Sequence, residues 1–154
     1  MGLDMYLEVD AFVYGDNKAY ASIVAAADLG VIAGDRQQLA TVSITAAYWR
    51  KANAIHAWFV REVQDGQDKC QRSHVDASQL VDLLALTKRA ISLYHAGDKE
   101  ELLLLLPPVA GFFFGSTDIG EMYLDDLKST EEMLTRITTA PSFDQYDYFY
   151  RASW

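Results

Sequence analysis

Trp49, Arg50, Lys51, Asn53 and His56 bring an indole, two cations, an amide and an imidazole into one short stretch, YWRKANAIHAWF. These residue types suit a planar, anionic ligand. An indole offers a stacking face, a guanidinium a two-pronged phosphate contact, and the amide and imidazole orienting hydrogen bonds. Trp58 is a second stacking candidate, and His56 is the candidate general base. The plainer alternative is a core helix with a wet edge: both indoles packed inside, Asn53 solvated, His56 a satisfied histidine.

A second stretch, GFFFGST over 111–117, could supply a further stacking surface through its Phe112–Phe114 run, Phe113 included. Its Ser116 and Thr117 hydroxyls precede an expected helix start, where backbone N–H groups favour an anion. It is neither a Walker A loop nor GxGxxG, and a buried aromatic strand is the simpler reading. Metal chemistry finds no support. His56, His74 and His95 show no ligand spacing, and Asp125-Asp126 and Glu131-Glu132 fit a solvated helix face. No metal or cofactor is expected. No nucleophile motif such as GxSxG is present. The lone Cys70 permits no intrachain disulfide and reads as a half-buried thiol.

The chain has 154 residues and a net charge of −9, with 51% hydrophobic residues, enough to build one domain around its own core. That charge disfavours direct binding to nucleic acid phosphates. It is unevenly spread. Residues 41–61 hold three cations and no acid, whereas 118–136 hold six acids against two bases. The acidic stretch could dock on a basic protein surface or mimic nucleic acid. The longest apolar run, Leu102 to Leu106, is too short to span a bilayer, and the N-terminus lacks the regions of a signal peptide. The expectation is a cytoplasmic protein with no membrane contact.

Leu3, Met5, Leu7, Val9, Ala11 and Val13 alternate with polar residues, predicting a half-buried strand. Residues 18–40 read as an insert, with a short helix over Ala19–Asp28 and a turn at Ile32–Asp35. Thr41–Thr45 reads as a strand. From Ala47 to about Val63 the spacing predicts a helix with Tyr48, Ala52, Ile55 and Phe59 on its buried face and Trp49, Asn53 and His56 in the adjacent row. Asp65-Gly66 would end it. Asp76 with Gln79 resembles a capping box, opening a helix that stops at Gly97. A short helix follows over Lys99–Leu106. Another runs from Ile119 to Ile137, capped by Asp118 or Thr117. The alternation of Tyr146, Tyr148 and Tyr150 predicts a terminal strand, which as a sheet edge could pair with a second copy. The fold class is α+β, a small, mostly antiparallel sheet packed against about three main helices.

MGLDMYL, YWRKANAIHAWF, GFFFGST and the ending Tyr150-Arg151-Ala152-Ser153-Trp154 resemble a family of small proteins encoded in bacteriophage and prophage genomes. The resemblance covers most of the chain in the same order. It implies an accessory protein acting in the infected bacterial cytoplasm, often against host defence. It carries over Trp49, Arg50, Lys51, Asn53, His56, Phe113, Ser116, Thr117, Ser153 and Trp154 as more polar and aromatic residues than a core needs. The leading expectation is a non-catalytic binder that sequesters a small nucleotide-like molecule. The alternatives are an inhibitor that binds a host defence protein through the acidic helix, and a nucleotide-processing enzyme with His56 as base. A homo-oligomer is compatible with each.

Overall fold

The computed structural model describes residues 2–26 and 39–154. A four-stranded antiparallel sheet has the order β2-β1-β4-β3, with β1 Asp4–Tyr14, β2 Leu39–Arg50, β3 Ser73–Val75 and β4 Asp147–Ser153. The helices are α1 Lys18–Ala26, α2 Asn53–Glu62, α3 Ala77–Ala96, α4 Lys99–Leu105 and α5 Glu121–Thr138. This is the expected α+β class. The expected turn at Ile32–Asp35 lies outside the described residues, and the described part of the short helix in the insert is α1. Among the described residues no helix is long and apolar enough to cross a membrane.

The alternation at the N-terminus does what period two dictates: Leu3, Met5 and Leu7 are fully buried on the inner face of the sheet. Register carries that face across the strands. Met5 lies opposite Trp49 and Ala152, and Leu7 opposite Ala47 and Tyr150. Helix α2 lays Ile55 and Phe59 into this core, where the Phe59 and Tyr150 rings stack with centroids 3.9 Å apart. Helices α3 and α5 pack on each other, and Leu80 and Leu83 of α3 and Leu127 and Leu134 of α5 are buried in the core.

Local signals fix the ends of α3. The Gln79 side chain accepts from the Asp76 N–H at 2.9 Å, and Gly97 in the left-handed conformation (φ 77°) closes the helix with hydrogen bonds back to Leu93 and Tyr94. Helix α2 ends earlier than Asp65-Gly66. Those two residues then turn the chain with positive φ, and the Gly66 N–H bonds the Val60 carbonyl at 2.8 Å.

Three expectations are corrected. Tyr48, Trp49 and Arg50 belong to β2, and the helix begins only at Asn53. Pairing with β1 overrides the helical spacing. A bulge between Leu7 and Glu8 adds Ala46 to β2, so Val42 and Ile44 share a face with Ala47 and Trp49. The parity change breaks the period-two signal where it was needed. Tyr48 consequently faces outward, 44% exposed, its hydroxyl donating to Asp4. Second, α5 starts after Gly120 and has no side-chain cap from Asp118 or Thr117. Third, β4 is an inner strand, with β1 on one side and β3 over Tyr148–Tyr150 on the other. The tail therefore lacks the free edge that pairing with a second copy would use there.

Candidate functional site

Four sequence-distant segments meet at one corner of the sheet. Register sets Arg50 and Ser153 on either side of Asp4. The Lys51 N–H donates to the Leu3 carbonyl at 2.8 Å, and the Leu3 N–H reaches the Phe113 carbonyl at 3.4 Å. A side chain begun at Gly2 would lie 3.9 Å from both the Arg50 guanidinium and the Phe113 carbonyl.

Asn53 ties the corner together. Its Nδ2 donates to the carbonyls of Phe114 (3.2 Å) and Ser116 (2.9 Å), and its Oδ1 accepts from the Val109 N–H (3.3 Å). The amide is buried, so these bonds replace water that cannot reach it. Asn53 is thus the staple that fixes the GFFFGS loop on α2.

The backbone at this junction is held away from its preferred conformations. Lys51 has φ 62°, Phe113 φ 66° and Gly115 φ 95°. A Cβ on Gly115 would sit 3.2 Å from the Lys51 Cβ and 3.3 Å from its carbonyl, so glycine is required by both conformation and space. Left-handed non-glycine residues persist only where their surroundings hold them, and they concentrate at ligand sites.

A small cavity of about 150 Å³ opens here, lined by Arg50, Lys51, Ser116, Asp118 and Asp126 among others. Among the described residues, neither Arg50 nor Lys51 has an ion pair within 4 Å. The Ser116 hydroxyl donates to Asp118 (2.9 Å) and accepts from its N–H (3.0 Å). Burial, and secondarily the neighbouring Asp125, push Asp126 up from 3.8 to about 6. Asp126 therefore changes charge near neutrality, in a cavity that the two cations also line.

Around the corner lies an open groove in two adjoining parts, of about 600 and 390 Å³, which share Asp68, Val109 and Phe114. Phe112, Phe113 and Trp154 form an exposed aromatic shelf along the larger part; they are 83%, 48% and 42% exposed. His56 sits under the smaller part, buried. Its Nδ1 is 2.7 Å from the Tyr150 hydroxyl and its Nε2 is 2.9 Å from Asp68 Oδ2. Burial pushes the Tyr150 phenol well above its ordinary value, so it stays protonated. Both imidazole nitrogens are engaged, and neither is free to act as a base on a ligand.

Arg50, Lys51, Phe113, Ser116 and Trp154 thus line cavities at the corner, and Asn53 and His56 hold its walls. Trp49 is elsewhere: packed in the core, edge-on to Phe59, with its indole N–H donating to Thr130 Oγ1 of α5 at 2.9 Å. Thr117 is exposed and lines none of these cavities. Sequence reasoning singled out the Phe112–Phe114 run but missed Asp68 and the cavity-facing role of Asp126. Phe112 had a signal, since three consecutive phenylalanines cannot all be buried in a loop between glycines. Asp68 had none. No family model, curated protein or solved structure matches the chain.

Proposed function

We propose that the chain binds a small nucleotide-like molecule at this corner and acts by holding it, without chemistry on it. The observation that carries the reading is the Arg50–Lys51 pair, without an ion pair among the described residues and kept at a strained junction beside an exposed aromatic shelf. Two adjacent cations with no carboxylate in ion-pair range among the described residues favour a phosphate. The phenyl rings of Phe112 and Phe113 and the indole of Trp154 are faces on which a base can stack, an interaction indifferent to base identity and worth about 1–3 kcal/mol per base. Ordering of the loop by Asn53 reduces the entropy lost on binding. Together with the resemblance to phage accessory proteins, this supports sequestration of a signalling nucleotide in an infected bacterium.

The test is a thermal-shift panel of mononucleotides and dinucleotides on the full chain and on the Arg50→Ala/Lys51→Ala double variant. A nucleotide should raise the wild-type melting temperature and leave the double variant unmoved. The absence of any shift, or a shift retained in the double variant, sinks the reading.

A further inference from the structure

The groove beside the aromatic shelf contains a carboxylate oxygen, Asp68 Oδ1, that neither folding nor phosphate binding explains. Asp68 lines both parts of the groove, its side chain 27% exposed, among the apolar walls of Val109, Phe112, Phe114 and Trp154. A carboxylate in apolar surroundings without a cation is costly unless hydrogen-bond donors satisfy it. Oδ2 is satisfied by His56 at 2.9 Å, and Oδ1 has no protein partner among the described residues. Arg61, the cation that shares the smaller part, is instead 2.6 Å from Glu62.

The group behind Asp68 fixes its direction. Tyr150, kept protonated by burial, can donate its O–H to His56 Nδ1. His56 then carries its proton on Nε2 and donates to Asp68 Oδ2. That relay positions the carboxylate and leaves it purely an acceptor toward the groove.

We infer that Asp68 reads the edge of a stacked base and selects guanine. This inference rests on the nucleotide-binding reading above. A guanine ring carries two N–H donors side by side, at N1 and N2, matching the unpartnered Oδ1 and the second lone pair of Oδ2, whose other lone pair accepts from His56. Hypoxanthine keeps only the N1 donor. Adenine offers one amino donor beside a ring-nitrogen acceptor, which would face the carboxylate lone pairs. A carboxylate is therefore a guanine-selective partner, and Phe112 or Trp154 holds the ring in the plane where its edge meets Asp68.

The experiment is isothermal titration of the full chain with GMP, IMP, AMP and sulfate, for the wild type and Asp68→Asn. GMP should bind ~10-fold or more tightly than AMP, with IMP between them, as expected for a lost bidentate contact. Asp68→Asn should erase that ranking and leave sulfate binding unchanged. Equal affinities for the three nucleotides, or a ranking that survives in Asp68→Asn, overturn the guanine inference while the nucleotide reading stands. If sulfate binds but no nucleotide does, the stacked-base reading and the inference fall together. If nothing binds, the Arg50–Lys51 site itself is wrong. The wild-type ranking tests the inference even if the variant does not fold.

Discussion

Two sets of cations on this protein are treated in opposite ways. On the outer face of the sheet, Arg72 bonds Glu8 (2.9 Å) and Asp10 (2.7 Å), and its Cζ lies 3.6 Å over the Phe149 ring. Arg151 bonds the other oxygen of Glu8 at 2.6 Å and lies over Tyr6 at 4.2 Å. Both arginines there have a carboxylate partner and an aromatic ring beneath them. At the corner, Arg50 and Lys51 have no ion pair among the described residues, and Lys51 sits on left-handed backbone. The first arrangement contributes to the stability of the fold. The second withholds that contribution and keeps its charge available. The difference separates cations that close a structure from cations that, on the proposed reading, are kept for a ligand.

The largest effects should come from breaking the corner. Asn53→Ala leaves the Phe114 and Ser116 carbonyls and the Val109 N–H without their partner. It should cost about 3 kcal/mol in urea denaturation, with loss of nucleotide binding. Gly115→Ala should cost about 2 kcal/mol, because φ 95° and the Lys51 contact both oppose a Cβ.

The comparison itself predicts a divergence between two arginines. Arg72→Ala should lower stability by about 1 kcal/mol and leave ligand binding intact. Arg50→Ala should change stability by less than about 0.5 kcal/mol and abolish the sulfate or nucleotide shift. Equal stability losses from the two would dissolve the distinction.

The two regions should also respond oppositely to pH. Burial alone would raise the Glu8 carboxyl, but Arg72 and Arg151 outweigh it and hold the group below its ordinary 4.5. Its contribution is present above pH 4.5 and is lost as pH falls through the depressed folded value. Asp126 is raised from 3.8 to about 6, so the folded state holds its proton more tightly than the unfolded chain. Its ionisation therefore destabilises the fold progressively as pH rises from 3.8 to 6, and fully above. Asp126→Asn should raise stability at pH 7 by on the order of 1 kcal/mol after solvent screening.

The smallest effect concerns the ligand. Sulfate, whose charge is constant over this range, should bind a few-fold more tightly at pH 5.5 than at pH 7.5. That difference should vanish in Asp126→Asn, as read by titration calorimetry.

The elements that local chemistry specifies were legible in the chain. Period two built β1, the capping pair Asp76–Gln79 and the left-handed Gly97 bounded α3, and the tyrosine alternation built β4. Each depends on neighbours within a few residues. The opening stretch was not legible in the same way. Helical spacing from Tyr48 to Phe59 is real, yet a bulge opposite Leu7 keeps Tyr48–Arg50 in the sheet, and the bulge is defined only by β1. That reassignment moved Trp49 into the core and Tyr48 out of it.

The sequence by itself determined the α+β class, the inner face of the first strand and the corner segments that carry unusual residue types. Periodicity and capping act locally, so they can be read in order along the chain. Only the tertiary structure decided which of those residues are available. Whether Arg50 has a counter-ion, whether Asn53 is solvated or buried against the loop, and whether His56 has a free nitrogen all depend on groups up to 94 positions away. Availability is a property of the space around a side chain, and that space is set by strand register and loop closure.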